Sequence, residues 1–302
     1  MKKILITGAS GLLGSNIVKS AASQFEVYGI YNKNRVCVEG AKLFSLDLTE
    51  DGSCERIKEI EPEVIIHCAA LTDLDYCQDH KDEAYAHNVL ASINIAEAAK
   101  EAGAYLMHIS TDGVFDGKKG DYAEEDVPNP ITVYGQTKLA SEKEILTRCP
   151  DSCVLRTSIY GWNKMEKLSL AEWMLNKLEE KKELPGFKDV YFSPIIVNDL
   201  SDIIFKLFET RPIGIIHVAA GDSCTKLDFA YHIADIFGLD KNLIRPVSLD
   251  DIDLKVPRAK NLSLNTSKAR GLLGSPLPTV TEGISRMKML REDGYLEALR
   301  NG

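Results

Sequence analysis

The segment Gly8-Ala-Ser-Gly11-Leu-Leu-Gly14 constrains this chain more than any other, because of what lies on each side of it. Lys2-Lys-Ile-Leu-Ile-Thr7 is a short apolar run with strand character, and residues 12–22 carry the apolar periodicity of an amphipathic helix. A strand that enters a helix through closely spaced glycines brings backbone N–H groups and a helix N-terminus up to a pyrophosphate. The spacing is Gly-x-x-Gly-x-x-Gly, with one residue more in the first gap than the Gly-x-Gly-x-x-Gly fingerprint. The same glycines also suit an ordinary βα turn, so the choice rests on the rest of the chain.

Strand-like and helix-like segments alternate downstream. Residues 26–31, 41–44, 63–67, 105–109 and 214–218 read as short buried strands. Helical patterns lie between them, the longest over 81–102 with Gly103 as its stop. This alternation predicts an α/β fold with a doubly wound parallel sheet of the Rossmann type. Past residue 157 the pattern loosens around Gly161-Trp-Asn, Gly186-Phe-Lys and the Pro/Gly-rich stretch 271–278. The expected organisation is a dinucleotide-binding domain of residues 1–158 with 189–220, and a smaller interleaved substrate lobe of 159–188 with 221–302.

Composition narrows the class. A length of 302 residues fits one large domain or two ordinary ones, and 44% hydrophobic residues supply a substantial core. No stretch approaches the roughly 20 apolar residues of a membrane span. A formal net charge of −9 makes a nucleic-acid backbone an unsuitable partner. The opening run is short and belongs to a strand, so no signal peptide is expected and the cytoplasm is the expected compartment. The seven cysteines, at 37, 54, 68, 77, 149, 153 and 224, form no Cys-x-x-Cys pair and read as reduced structural thiols. His67, His108 and His217 end or interrupt strand-like runs and read as satisfied interior histidines; no metal site is expected.

Tyr134-Gly-Gln-Thr-Lys138 supplies a chemical pair. Residues i and i+4 of a helix share a face, with Cβ atoms roughly 5–6 Å apart. A cation beside a phenol favours its charged form and brings its pKa, about 10 when free, toward the working range of a general acid. Hydride chemistry on a carbonyl needs such a pair. Tyr-x-x-x-Lys also arises as a stacked aromatic beside a solvated lysine, but here it follows Ile109-Ser-Thr111-Asp112. That segment ends a strand at the carboxyl edge, where ligands of open α/β sheets bind. The Thr111 hydroxyl is therefore placed to donate to a substrate carbonyl while Tyr134 protonates the developing alkoxide. Pro130 suits entry into the catalytic helix. After the second strand, Tyr31-Asn-Lys33-Asn-Arg35 offers two cations and no acid, which favours NADPH over NADH; a solvated basic loop is the alternative.

Taken together, Gly8-x-x-Gly11-x-x-Gly14, Asp47-Leu48, Ala69-Ala70, Ser110-Thr111-Asp112-Gly113-Val-Phe-Asp116-Gly117, Pro128-Asn-Pro130 and Tyr134-Gly-x-x-Lys138-x-x-x-Glu142 resemble the extended short-chain dehydrogenase/reductases. More narrowly the chain is similar to the dTDP-4-dehydrorhamnose reductase (RmlD-like) family, through Leu155-Arg-Thr157, Ser193-Pro194, Asn198-Asp-Leu200, Gly214-Ile-Ile-His217 and the segment from Pro257-Arg258 to Lys268. The resemblance implies an NAD(P)H-dependent oxidoreductase acting on a nucleotide-linked 4-keto-6-deoxy sugar, in dTDP-rhamnose and polysaccharide biosynthesis, with a homodimer as the expected assembly. It implies Thr111, Tyr134 and Lys138 as the catalytic trio. Gly8, Gly11 and Gly14 would face the pyrophosphate, Asp47 and Leu48 the adenine, and Ala69 and Ala70 the middle of the cofactor. Ser10, Leu12, Leu13, Tyr31, Lys33, Arg35, Cys68 and Thr72 complete the expected cofactor contacts. Thr111, Asp112 and Arg258 are the expected substrate contacts, Arg258 beside the nucleotide diphosphate.

Departures concentrate where the sugar would bind. Gly113 stands at the family's tyrosine position, Ile159 lies where a tryptophan is usual, and Val190 and Phe192 replace residues of an Asp-Gln-x-Gly-x-Pro-Thr stretch. Relatives of the same fold include sugar-nucleotide epimerases and 4,6-dehydratases, but Gly113 removes the glutamate that a dehydratase carries after Thr-Asp. A non-enzymatic branch, the regulatory β-subunits of methionine adenosyltransferase, is the alternative of a different class.

Overall fold

The computed structural model describes residues 1–50 and 52–301. Seven strands form one sheet: β1 (Lys3–Thr7), β2 (Glu26–Tyr31), β3 (Ala41–Ser45), β4 (Val64–His67), β5 (Tyr105–Thr111), β6 (Cys153–Thr157) and β7 (Gly214–His217). Their order is β7-β6-β5-β4-β1-β2-β3, and every neighbouring pair is parallel. The chain runs outward from β1 to β3 and then crosses back to β4 on the other side of β1. That reversal opens a crevice at the carboxyl ends of β1 and β4, the place where doubly wound sheets bind ligands.

Helices cover both faces, which is why β4 and β6 are buried at every residue. The helices between the strands are α1 (Leu12–Ala21), α2 (Ser53–Ile60), α3 (Leu74–Asp79), α4 (Lys81–Tyr85), α5 (Ala91–Ala102) and α6 (Val133–Arg148). The long helix expected over 81–102 is interrupted by a π-helical turn, Ala86–Leu90, and stops as expected at Gly103, whose φ is 62°. β6 has no counterpart among the strands read from hydropathy, because Arg156 breaks its apolar run.

Later elements are α7 (Leu170–Glu179), α8 (Val197–Thr210), α9 (Lys226–Phe237), α10 (Ser267–Leu273), α11 (Val280–Glu292) and α12 (Tyr295–Asn301). A second core, separate from those on the two faces of the sheet, joins Tyr160, Trp162, Leu175, Phe192, Phe229, Ile284 and Met287. We propose the two-lobe division of the chain on these cores, with two adjustments: Ala269, Leu273 and Leu277 pack into the sheet core with α8, and Phe192, Ile196 and Ala220 pack into the second core. Among the described residues, no helix is long and apolar enough to cross a membrane.

Candidate active site

The first βα turn is shaped by backbone contact. Gly8 holds a φ of +67°, and a Cβ on Gly14 would stand 2.1 Å from the Gly8 carbonyl oxygen, so only glycine lets α1 start this close to β1. Gly11 is the N-cap of α1 and no side chain caps it, which leaves the first-turn N–H groups to face the crevice. A cleft of about 740 Å³ opens from this turn. Gly8, Ser10, Gly11, Leu12, Leu13, Gly14, Lys33, Asp47, Leu48, Cys68, Ala69, Ala70 and Thr72 line it, and its far end is lined by Thr111, Asp112, Tyr134 and Lys138. Residues expected from separate motifs thus share one cavity.

Three expected residues fall outside that lining. Tyr31 is paired with Ser45 in the β2–β3 ladder, and Arg35 is exposed beyond the strand end, so of the two cations only Lys33 faces the cleft. Arg258 lines a second depression of about 490 Å³ with Lys118, Lys260, Asp116 and Asp189. Its guanidinium donates to the Val256 carbonyl at 2.7 Å and lies 3.5 Å from the Asp75 carboxylate. Phe192 is not a wall of the site: it packs edge-on to Phe229, 5.3 Å between ring centroids, in the second core. Ile159 does line the cleft.

The Thr111–Tyr134 end of the cleft is held by α6. Its N-cap Thr132 accepts from Gly135 N at 3.0 Å, and a Cβ on Gly135 would lie 2.2 Å from the Gly113 carbonyl oxygen. The helix backbone therefore rests directly on the turn after β5, which brings Tyr134 beside Thr111. Thr111 Oγ1 donates to Asp112 Oδ1 at 3.1 Å and accepts from Gly113 N at 3.0 Å. A Cβ at Gly113 would point between Thr111 Oγ1, 3.3 Å away, and Tyr134 Cε1, 4.0 Å away. The missing side chain at this position leaves space directly against Thr111 and Tyr134.

Lys138 is 2% exposed, and its Nζ donates to the Ile109 carbonyl at 2.8 Å and lies 3.2 Å from His108 Nε2. Burial pulls its pKa down to about 8, against the Glu142 and Cys68 charges that raise it. The phenol of Tyr134 moves the other way. Burial lifts its pKa above the ordinary value, Asp112 and Cys77 add to this, and a hydrogen bond with Thr111 opposes it. The lowering expected from Lys138 is thus not supplied by the protein groups around Tyr134, because the ammonium turns toward β5. Burial also raises the Asp112 carboxyl to about 6, against hydrogen bonds from Thr111 and Ser158.

Beneath these groups lies a buried network. Arg156 and Glu142, each 1% exposed, pair at 2.7 Å, and Ser110 Oγ donates to Glu142 Oε1 at 2.5 Å. The ring of Phe115 lies 5.1 Å from the Arg156 guanidinium. Asn88, on the π-helical turn, accepts from Leu71 N at 2.7 Å and donates to Thr137 Oγ1 at 2.9 Å, tying the β4 exit to α6. Sequence reasoning missed Asn88, His108 and Lys226. Lys226, at the start of α9, has its pKa lowered by burial and by Arg258, against the attraction of Asp112. The satisfied-histidine expectation holds for His67, which bonds Thr7 Oγ1 at 2.7 Å and Ser92 Oγ at 3.1 Å, but His108 Nδ1 is buried without a partner.

The chain shares both this geometry and its sequence with known proteins. A family model described as RmlD substrate binding domain matches residues 1–291. The chain is 30% identical over 294 residues to the probable low-salt glycan biosynthesis reductase Agl14 of Haloferax volcanii, covering 95% of this chain and 98% of that protein. It is 33% identical over 292 residues to methionine adenosyltransferase 2 subunit beta of Rattus norvegicus, covering 90% and 82%. The crystal structure of dTDP-4-dehydrorhamnose reductase from Bacillus anthracis, solved in complex with NADP, superposes with a TM-score of 0.82 at 30% identity, over 96% of this chain and 99% of that one. With its glycine turn and its Thr-Tyr-Lys cluster in one cleft, the chain belongs to the RmlD family of sugar-nucleotide reductases.

Proposed function

We propose that the chain reduces a nucleotide-linked 4-keto-6-deoxy sugar with NADPH, or with NADH, Tyr134 giving the proton to the oxygen at C4. The observation that carries this reading is the convergence of Thr111, Tyr134 and Lys138 at one end of a cleft whose other end is the uncapped glycine turn of α1. The residues fit a dinucleotide: backbone N–H groups and a helix N-terminus for the pyrophosphate, Lys33 for a 2′-phosphate, and Ala69 and Ala70 for the middle of the molecule. The reduced nicotinamide supplies the hydride.

The protein groups do the remainder. Thr111 orients the carbonyl by turning its hydroxyl from Asp112 Oδ1 to donate to the substrate oxygen, and Tyr134, held protonated by its raised pKa, is the proton donor as charge develops there. Lys138 sits one turn along the same face and lines the cleft, where it would hold a ribose hydroxyl of the cofactor. Arg258 and Lys226, two cations that act on each other, suit the diphosphate of a substrate whose sugar lies against Asp112. Likeness to the glycan biosynthesis reductase supports a role in polysaccharide biosynthesis.

A second reading is a nucleotide-binding regulatory subunit, supported by the 33% identity to the methionine adenosyltransferase subunit. Turnover separates the two. With a panel of nucleotide-linked 4-keto sugars, NADPH should be oxidised, and Tyr134→Phe should lower kcat by about 10²–10⁴-fold with cofactor affinity nearly unchanged. No oxidation with any member of the panel would favour the regulatory reading, and full turnover by the variant would remove Tyr134 from proton transfer.

A further inference from the structure

His108 faces two groups that make opposite demands on one nitrogen. Its Nε2 lies 3.0 Å from Ser141 Oγ and 3.2 Å from Lys138 Nζ. The Ser141 hydroxyl hydrogen is already committed to the Lys138 carbonyl at 2.7 Å, so its oxygen can only accept, and it asks for Nε2–H. An ammonium can only donate, and it asks for a bare Nε2. A neutral imidazole carries one N–H and cannot meet both. Nδ1 is buried and bonds to nothing, so the ring hydrogen can reside there without competing with another bond.

We infer that His108 positions Lys138 by changing tautomer with the charge of the lysine. When Lys138 is charged, the ring hydrogen sits on Nδ1 and bare Nε2 accepts from the ammonium. When Lys138 is neutral, the hydrogen sits on Nε2, between Ser141 Oγ and the amine lone pair. The ring carries one hydrogen throughout, and the proton lost from Nζ goes to solvent. Lys138 can thus gain and lose a proton without leaving its seat on the Ile109 carbonyl.

The surroundings suit this role. The charged and titratable groups that act on the ring are Lys138 from α6 and His67 from β4, and Lys138 in turn faces Glu142 from α6 and Cys68 at the β4 exit. The His67 ring lies tilted against that of His108, 5.1 Å between centroids, with both its nitrogens bonded, so it takes no part in the exchange. Burial, Lys138 and His67 hold the His108 pKa well below its usual value, which keeps the ring neutral. Lys138, near 8, changes charge in an accessible range.

Nitrogen-15 NMR of the histidine rings in the full-length protein tests this without turnover. Across the Lys138 titration the protonated nitrogen of His108 should pass from Nδ1 to Nε2, and in Lys138→Met it should stay on Nε2 at every pH. A ring fixed in one tautomer in the parent protein would overturn the inference. A second measurement uses NADPH affinity against pH and rests on the reading of Lys138 as the ribose lysine. Charge-assisted hydrogen bonds are about twice as strong as neutral ones, so His108→Leu removes more from the ammonium than from the amine. Its alkaline limb should fall by roughly one pH unit, and His108→Gln, whose amide can accept or donate, should restore it. An unmoved limb in folded His108→Leu would count against the coupling, whereas absence of turnover with keto sugars would count only against the reductase reading.

Discussion

Around the glycine turn the cleft wall is backbone, whereas around Tyr134 it is a set of buried side chains that hold one another. Gly8, Gly11 and Gly14 shape the first wall by what they lack, and the residues that make it are consecutive in sequence. Thr111, Asp112, Tyr134 and Lys138 shape the second, and their supports, Ser110, Glu142, Arg156 and His108, come from β5, β6 and α6. A backbone wall tolerates no added atom but asks for no partner. A side-chain wall tolerates changes of shape at its surface, as Gly113 shows, but fails when a buried partner is withdrawn.

The largest effect should come from withdrawing such a partner. Arg156→Met leaves the Glu142 carboxylate buried beside Ser110 without its cation, and breaking a buried pair in this way costs about 3–5 kcal/mol. Denaturant unfolding should show that loss. The double variant Glu142→Leu with Arg156→Met removes both charges and should recover most of it, since a buried pair gives little net stability over apolar replacements. A single variant as stable as the parent would mean that the end of β5 does not hang on this network.

A smaller but more local effect tests the backbone wall. In Gly14→Ala the new methyl meets the Gly8 carbonyl, and neither backbone can move without moving β1 or α1. Overpacking of this kind costs about 1–3 kcal/mol. Because the displaced atoms are those that would face the pyrophosphate, NADPH affinity should fall by roughly tenfold or more at the same time. Normal affinity in a destabilised variant would separate the tight turn from cofactor binding.

The same contrast explains what the sequence made legible. The Gly8–Gly14 turn and all five of the strands read downstream of it, to within two residues of their ends, follow from local spacing, because local backbone geometry produces them, whereas Asp47, Leu48 and the 68–72 segment of the cleft follow from the family resemblance. β6 did not follow, since Arg156 reads as a break in an apolar run until Glu142, fourteen residues earlier, is known to neutralise it. The π-helical turn was hidden because the residues around it keep a helical pattern. Phe192 stood out as a change in the sugar site, yet its ring serves the second core. His108 lies thirty residues from Lys138, and only the fold shows that the two meet.

Lys33 is the place where the backbone-built half relies on a side chain, so it gives the finest test of the contrast. It is the cation of the 31–35 segment that lines the cleft, while Arg35 is exposed and does not line it. An exposed cation beside a phosphate is screened by salt, so its contribution should be modest and should shrink at high ionic strength. Lys33→Gln should weaken NADPH binding by about tenfold, or about 1.4 kcal/mol, and leave NADH binding unchanged. Arg35→Gln should change neither. The discriminating quantity is the ratio of the two cofactor affinities, measured at low and at high salt. Equal losses for both cofactors would show that Lys33 supports the turn and does not read the 2′-phosphate, and an effect of Arg35 equal to that of Lys33 would show that this loop acts by net charge and not by position.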